Sequence, residues 1–275
     1  MKSLPTILLL IASLPAAAAP GAFEINQDCA AAGCFELDSP GLPVSIAKSG
    51  SYVLTSDLVV DTGGNAIEIS PLGVYNGPLD IDLNGHTIDG GASCTGTPVT
   101  SCSPPLGGNA INAGVNPPMP LHIHNGTLRG FVTAIALFHV EDGTLLEHLT
   151  ITQNTNNAIF VTSDQPTTVR IRDSQITRNG NQGIFASMAA FIENTSIVGN
   201  LSTGVSFNVT HSVITGSRIS NNGGKGVDCS DPQEACALGQ NTFAGNNGGG
   251  VQFAVSALSD MGGNVCLDHA SGVCP

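Results

Sequence analysis

Charged residues are scarce in this chain, and positively charged ones are the scarcest. Only 11% of its 275 residues are charged, against a usual share of about 25%. There are 8 Lys and Arg against 21 Asp and Glu, which gives a formal net charge of -13. A nucleic-acid partner is therefore not expected, because phosphate contacts need clustered Lys and Arg. An acidic polysaccharide would be repelled on average, so only a local basic patch could bind one.

The chain also lacks tryptophan and lacks any apolar run long enough to span a bilayer. Its apolar run at residues 4–14 follows Lys2 and precedes the small-residue stretch 16–19. That order is typical of a secretory signal peptide. We therefore expect residues 1–19 to be a signal peptide. Residues 20–275 are expected to form a single secreted domain, extracellular or periplasmic, with no membrane span.

Eight cysteines fall into four pairs of near neighbours. In an exported protein such pairs predict disulfides, because the compartment is oxidising. A zinc site is the alternative, although the C-x-x-C pairs of zinc sites are absent from this sequence. The predicted disulfides are Cys29–Cys34, Cys94–Cys102, Cys229–Cys236 and Cys266–Cys274.

A short phrase recurs along the chain: a polar residue, an aliphatic residue, and then a Gly or Asn turn. From Leu128 onward its apolar members are spaced 23, 25, 21, 22 and 24 residues apart. A second phrase runs in phase, from Ala110-Ile111 to Gly250-Val251. A third column, five residues before the first phrase, is aliphatic throughout and holds Leu83, Ile123, Leu146, Ile171, Ile192, Ile214 and Leu238.

Three phrases in each repeat indicate three short strands joined by turns. Stacked coils place like residues above like, so the aliphatic columns fill one continuous core that no single coil could build. Short segments rich in β-branched residues favour strands over helices. We therefore predict an all-β fold, a right-handed parallel β-helix (a solenoid) with three short strands per coil of roughly 21–25 residues.

Five asparagines share one register in successive coils. Asn tolerates tight turns, and its side chain can hydrogen-bond to the equivalent residue above and below. The register predicts a buried asparagine ladder, which is a structural role, formed by Asn154, Asn179, Asn200, Asn222 and Asn246.

One coil is longer than the rest, with 40 residues from Ile88 to Leu128. The excess, residues 91–108, contains Cys94 and Cys102 and predicts a disulfide-pinned loop projecting from the stack. Insertions in repeat folds map to one face, which is often the binding face, although a tolerated surface insertion is the alternative. Residues 23–50 are expected to cap one end of the solenoid, and the segment 260–275 is expected to cap the other.

The coils resemble those of the pectate-lyase-like (pectin lyase fold) right-handed β-helix superfamily. More narrowly, residues 50–55 through 82–88 resemble the opening of bacterial secreted right-handed β-helix repeat proteins. The resemblance implies the fold and a carbohydrate-related setting, since relatives of this fold include polysaccharide lyases and glycoside hydrolases. Of the motifs that mark those enzymes, this chain offers only Arg170-Ile171-Arg172. An acidic calcium cluster like that of the lyases has no clear match.

Polar residues flank the aliphatic column on its outward side, and they are concentrated between residues 82 and 193. One predicted outward column holds Asp82, His122, Leu145, Arg170, Phe191 and Val213. The other holds Asn84, His124, Glu147, Arg172, Glu193 and Thr215. Arg129 and Arg178 lie on the next segment of the same coils.

This polar face is the predicted functional face, because Arg binds carboxylates in bidentate geometry and His or Glu can transfer protons. The candidate catalytic residues are His122, His124, Glu147, Arg170 and Arg172. The candidate substrate-binding residues are Asp82, Asn84, Arg129, Arg178 and Glu193. No cofactor is expected; a calcium ion at Asp80 and Asp82, with Asn84, is a weak candidate.

Three functions stay open at this point. The chain could bind a polysaccharide or cell-surface glycan through this face, it could be a polysaccharide lyase or hydrolase, or it could be a non-catalytic structural or adhesive protein. Alternating charges along one outward column also stabilise an exposed sheet without any ligand.

Overall fold

A computed structural model describes residues 21–61, 63–104, 107–114, 119–139, 141–208, 211–229, 235–255 and 257–268. The predicted signal peptide and Cys274 lie outside the described residues, as do residues 269–275 of the predicted C-terminal cap. The division of the chain into a signal peptide and one domain therefore stays a prediction.

The described chain is a parallel β-solenoid whose coils each contribute one strand to three parallel sheets. The first sheet contains Phe23–Ile25, the second halves of Val44–Leu54 and Ile67–Asp82, the first halves of Leu121–Arg129 and Thr144–Thr152, and then Thr168–Arg172, Ala189–Glu193, Ser212–Thr215, Ala235–Gly239 and Ala257–Asp260. The second sheet contains Leu58–Val59, Thr87–Asp89, the second halves of Leu121–Arg129 and Thr144–Thr152, and then Gln175–Thr177, Ser196–Val198, Arg218–Ser220, Thr242–Ala244 and Val265–Cys266.

The third sheet closes each coil. It contains the first halves of Val44–Leu54 and Ile67–Asp82, and then Asn109–Ala113, Thr133–Phe138, Ile159–Thr162, Ile184–Ser187, Val205–Phe207, Val227–Cys229 and Phe253–Val255. Two strands lie apart from these sheets and form an antiparallel hairpin, Cys94–Gly96 and Val99–Cys102. In the described part of the chain the helical elements are the short helix Gln27–Ala32 and a 3-10 turn, Asn246–Gly249.

The core is a set of aliphatic columns in register, as the repeat predicts. Ile135 pairs with Ile159, which pairs with Ile184, and all three are fully buried. In the first sheet Leu146 pairs with Ile123 on one side and with Ile171 on the other. Because each aliphatic side chain stacks on its equivalents in neighbouring coils, the columns bury a continuous apolar interior along the stack.

The predicted register is wrong at two coils. In the second phrase Val227 pairs with Phe253 rather than Val251. In the third column the mismatch falls at Leu83. Ile123 pairs with Ile81 rather than Leu83, because the turn before Ile88 is two residues longer than the turns that follow. Leu83 is nevertheless fully buried. It occupies the space above Gly126, where an added Cβ would lie 2.4 Å from the Leu83 Cβ. The outward neighbours shift by two residues as well, which matters for the polar face.

The asparagine ladder is present, and all five side chains are fully buried. Each Asn Nδ2 donates to the Oδ1 of the next asparagine at 2.9 Å, from Asn154 to Asn246. Gln252 ends the series by accepting from the Asn246 Nδ2 at 2.9 Å. The left-handed backbone of this turn belongs to the residue before each asparagine, as at Gln153 and Arg178. The asparagine side chains form the hydrogen bonds that the buried polar groups of this turn need.

A second, shorter polar ladder follows the first sheet and was not predicted. The Ser217 backbone N–H donates to the Asn241 Oδ1 at 2.9 Å, and the Asn241 Nδ2 donates to the Asn264 Oδ1 at 3.1 Å. The Ser217 hydroxyl in turn accepts from the Thr195 N–H. The repeat does not predict this ladder, because the residue type at its register differs from coil to coil.

Three of the four predicted disulfides are confirmed: Cys29–Cys34, Cys94–Cys102 and Cys229–Cys236. The fourth includes Cys274, which lies outside the described residues. Cys29 belongs to the short helix that covers the N-terminal coil, where the Asn26 side chain accepts from the Cys29 N–H at 2.8 Å and caps the helix. This segment shields an otherwise open sheet edge.

The inserted loop is an antiparallel hairpin that folds back along the stack. The Val99 N–H donates to the Gly199 carbonyl at 2.9 Å, and the Arg178 Nη2 donates to the Cys94 carbonyl at 2.9 Å. Val99 and Cys94 are buried. The hairpin therefore packs on the turns of later coils, at the edge that carries the asparagine ladder.

Candidate functional site

The outward side of the first sheet carries two columns of functional side chains. The first runs Asp80, His122, Leu145, Arg170 and Phe191, and the second runs Asp82, His124, Glu147, Arg172 and Glu193. The predicted columns are correct from the histidines onward and wrong at their first member. Asp80 and Asp82 stand where Asp82 and Asn84 were expected, because of the longer turn before Ile88.

Two stacked histidines bring this face together. The rings of His122 and His124 lie 4.1 Å apart at their centroids and 14° from parallel. The Asp80 Oδ1 lies 2.8 Å from the His122 Nδ1 and 3.2 Å from the His124 Nε2. A single carboxylate oxygen thus faces one nitrogen of each ring.

The other nitrogen of each ring also faces a carboxylate. The His122 Nε2 lies 3.0 Å from the Glu147 Oε1, and the His124 Nδ1 lies 3.7 Å from the Asp82 Oδ1. We call these residues, together with the arginine that holds Glu147, the polar cluster: Asp80, Asp82, His122, His124, Glu147 and Arg172.

Glu147 is the most buried acid of the polar cluster, with 8% of the residue exposed. The Arg172 Nε donates to its Oε2 at 2.5 Å. Burial acts to raise the pKa of Glu147, but the hydrogen bonds from Arg172 and His122 outweigh burial and lower it. The same contact raises the pKa of Arg172. Glu147 is therefore ionised at neutral pH and is poorly suited to act as a general acid.

Arg170 differs from Arg172 in its surroundings. Its side chain is 51% exposed, its Nη1 lies 3.9 Å from the Glu193 Oε2, and its guanidinium carbon lies 5.8 Å from the centre of the Phe191 ring. Arg170 and Phe191 line a shallow depression of about 370 Å³ with Leu145, Gly143, Thr144 and Thr168. The depression combines an apolar floor with one accessible cation.

Three of the sequence-predicted binding residues have structural contacts of their own. The Asn84 Nδ2 donates to the Leu54 carbonyl at 3.2 Å. The Arg129 Nε lies 3.4 Å from the Asp89 Oδ2 on the second sheet. Arg178 holds the hairpin, as described above. The hairpin packs along the ladder turns, so its described contacts do not make it a wall of the polar face.

The carboxylates of the calcium candidate already make contacts within the protein. The Asp82 Oδ1 accepts the Asn84 N–H at 2.8 Å, which forms a local turn, while Asp80 faces the two histidines. A calcium ion prefers a cage of oxygens, whereas imidazole nitrogens surround Asp80 here.

Two residues on this face were missed in the sequence. His148 and Asp173 each follow an outward residue of the second column, and both adopt left-handed backbone, with φ 52° and φ 50°. The His148 Nε2 lies 4.0 Å from the Asp173 Oδ2, and its Nδ1 lies 4.0 Å from the Glu147 Oε2. The sequence signal for them is their position in the repeat. Like Asn125 and Asn194, each stands one residue after a member of the second outward column.

The three parallel sheets and the ladder define the class of protein, a parallel β-helix with a polar face on its first sheet. A family model described as "Right handed beta helix region" matches residues 112–264, more than half of the chain. The chain belongs to this right-handed β-helix family. No curated protein and no solved structure matches the chain.

The parts of the chain that the structure describes contain no helix both long and apolar enough to cross a membrane.

Proposed function

We infer that the protein is a secreted polysaccharide-binding protein that holds its ligand on the outward side of the first sheet, across coils 82–193. The observation that carries this inference is the open depression in which Arg170 lies beside the Phe191 ring. Ligand sites in proteins combine mostly apolar walls with a few placed polar groups, and this depression has that composition.

The exposed cation gives the depression a selective group. A guanidinium can bind a carboxylate with two parallel hydrogen bonds, or it can donate to sugar hydroxyls. Phe191 and Leu145 are half-buried and offer apolar surface to one face of a sugar ring. A flat parallel sheet repeats such positions once per coil, which suits a ligand that is itself a repeating chain.

Binding without turnover is better supported than hydrolysis or elimination. Hydrolysis needs one carboxyl group that is protonated and a second that is ionised. Glu147, however, has a lowered pKa, and its two oxygens contact His122 and Arg172. Both nitrogens of His122 lie within 3.0 Å of carboxylate oxygens, so the ring is held in place by its own neighbours.

Secretion supports the same inference from another side. The three disulfides suit an oxidising compartment. Extracellular and periplasmic spaces are also where a protein would meet polysaccharides. We therefore keep the signal peptide at residues 1–19 as part of this proposal.

The test is a glycan panel of neutral and uronate-containing polysaccharides, with binding measured by isothermal titration calorimetry on the purified protein. Arg170→Ala and Phe191→Ala are each expected to weaken binding by about tenfold or more, because each removes one side of the depression. Arg218→Ala is the matched control, since Arg218 is also exposed but lies on the second sheet of a later coil.

Two outcomes would overturn the proposal. One is the absence of binding to any member of the panel. The other is binding that survives both substitutions and is lost instead on Phe160→Ala, because Phe160 and Phe185 stack on the outside of the third sheet. Release of unsaturated or reducing sugar ends would instead support the lyase or hydrolase alternative.

A further inference from the structure

We propose that Asp80, His122 and His124 form a binding site for one divalent transition-metal ion of the zinc type. The inference does not depend on polysaccharide binding, since it rests on the donor atoms of the polar cluster alone. This site differs from the calcium candidate, whose ligands would all be oxygens, because two of its three ligand atoms are nitrogens.

Three potential ligand atoms converge from neighbouring strands. The Asp80 Oδ1, one nitrogen of His122 and one nitrogen of His124 all lie within 4.8 Å of one another. The closest approaches are 2.8 Å and 3.2 Å, both to the carboxylate oxygen. Separations of this size bring three ligand atoms within reach of one shared ion.

The parallel register produces this convergence. Asp80 pairs directly with His122, and His124 stands two residues further along the same strand, on the same side of the sheet. Side chains at i and i+2 of a strand project from one face, so the two imidazoles lie next to each other. The longer turn before Ile88 is what places Asp80, and not Asp82, beside His122.

The outer contact of His122 matches that of a metal-bound histidine, and His124 has a longer ionic contact on the same side. A ligating histidine usually has its second ring nitrogen hydrogen-bonded to a carboxylate or carbonyl, which orients the ring and fixes its tautomer. The second nitrogen of His122 faces Glu147 at 3.0 Å, and that of His124 faces Asp82 at 3.7 Å. Arg172 in turn fixes Glu147. Each ring is thus backed by a carboxylate on the side away from Asp80.

The donor set selects the kind of metal. Two imidazoles and one carboxylate suit Zn²⁺ and neighbouring late transition metals, whereas Ca²⁺ and Mg²⁺ prefer oxygen ligands. Three carboxylates around two histidines also favour a cation electrostatically. The site is accessible, because the side chains of Asp80 and His122 are 34% and 33% exposed. Solvent can therefore complete the coordination of the ion.

A second group on the same face is a weaker candidate and serves as a comparison. Glu147, His148 and Asp173 also lie within 4.8 Å of one another through their ligand atoms. Glu147 is already bound to Arg172 at 2.5 Å, and His148 approaches its two acids only at 4.0 Å. This second group offers one histidine, and its glutamate is held by an arginine. It is therefore a poorer donor set than the two histidines beside Asp80.

The test is titration of the chelator-stripped protein with Zn²⁺ by calorimetry, and with Co²⁺ by visible absorption. The expected result is one equivalent of Zn²⁺ bound, a Co²⁺ spectrum typical of nitrogen and oxygen ligands, and no competition from Ca²⁺. Asp80→Asn, His122→Gln and His124→Gln should each weaken binding by about tenfold or more. His148→Gln and His86→Gln are the matched controls and should bind as the unaltered protein does.

Circular dichroism checks that each variant keeps its fold, which is expected because all three side chains project outward. The proposal is overturned if the protein binds no Zn²⁺ above background, if binding survives all three substitutions, or if His148→Gln alone abolishes it. Repeating the glycan panel with metal-loaded and stripped protein separates the two proposals. A protein that binds glycan but no zinc ends only the zinc proposal, and a protein that binds zinc but no glycan ends only the glycan proposal.

Discussion

Two regions of the solenoid share one interior and differ on the outside. In the upstream coils, residues 79–193, the outward positions of the first sheet carry Asp, His, Glu and Arg. In the downstream coils, residues 196–268, the same positions carry neutral residues such as Val213, Thr215 and Ala237. The inward residues stay aliphatic from Ile192 to Ile214 and Leu238. The fold constrains the inside of a coil and leaves the outside free to acquire a ligand site.

The entry to the third sheet becomes more crowded along the chain. At the entry to the third sheet the upstream coils have alanine, at 110, 134 and 158, whereas later coils have glycine, at 183, 204 and 226. An added Cβ at Gly204 would lie 2.6 Å from the Gly226 carbonyl oxygen. The change from alanine to glycine therefore records a closer approach between neighbouring coils.

The largest expected effect is on the ladder, which serves both regions. In Asn200→Ala, the backbone N–H and the Nδ2 of Asn179 lose the oxygen that accepts from them at 3.0 and 2.9 Å. Two buried donors without acceptors should lower the free energy of unfolding by about 4 kcal/mol. Chemical denaturation measures this. Asn181→Ala, which removes a half-buried hydrogen bond at 2.8 Å, is the control and should cost under about 1 kcal/mol. Equal losses in both variants would contradict the assignment of the ladder.

A smaller effect is expected at the tight downstream coils. Gly204→Ala should cost about 2 kcal/mol, because the new methyl group meets backbone that cannot move away easily. In the upstream coils the reverse change, Ala158→Gly, should cost only about 1 kcal/mol through backbone entropy. If Gly204→Ala proves neutral in thermal or chemical denaturation, the two regions do not differ in coil spacing.

A pH-dependent effect is expected at Glu147. Because its pKa is lowered in the folded state, its charge stabilises the protein above the ordinary pKa of glutamate, and this contribution is lost as pH falls through the lowered value. Glu147→Gln should therefore lower the melting temperature by a few degrees at about pH 6, with the difference shrinking toward pH 3. Glu193→Gln, at a more exposed acid, should show little difference at either pH. A constant difference across this range would show that the ionised carboxylate is not stabilising.

The smallest stability effect is expected at the proposed binding depression. Arg170→Ala should change the free energy of unfolding by less than about 0.5 kcal/mol, because the side chain is half exposed and its ion pair is long. The same substitution should still weaken glycan binding. A variant that is destabilised by more than about 2 kcal/mol would mark Arg170 as a structural residue.

The interior was predictable from the sequence because repetition exposes it. Columns such as Leu128 to Phe243, the ladder from Asn154 to Asn246, and the cysteine pairs all follow from spacing. The polar face was predicted from His122 to Glu193 for the same reason, since outward residues flank inward ones on a strand.

The predictions that failed concern places where the repeat is interrupted. The two extra residues before Ile88 move Asp80 beside His122, and no periodic signal marks that shift. The hairpin of Cys94–Gly96 and Val99–Cys102 docks on Gly199 through a contact between distant segments, which a repeat cannot encode. The two histidines converge on Asp80 because of the two extra residues before Ile88. The geometry of the cluster could therefore be seen only in the structure.

The most direct test of the difference between the two regions is an NMR titration of the isotope-labelled protein with a polysaccharide that binds in the panel. The expected result is a set of amide shift changes at residues 121–124, 144–147, 168–172 and 189–193, with the downstream strands 212–215 and 235–239 unchanged. Changes centred on those downstream strands, or on the outside of the third sheet around Phe160 and Phe185, would contradict it.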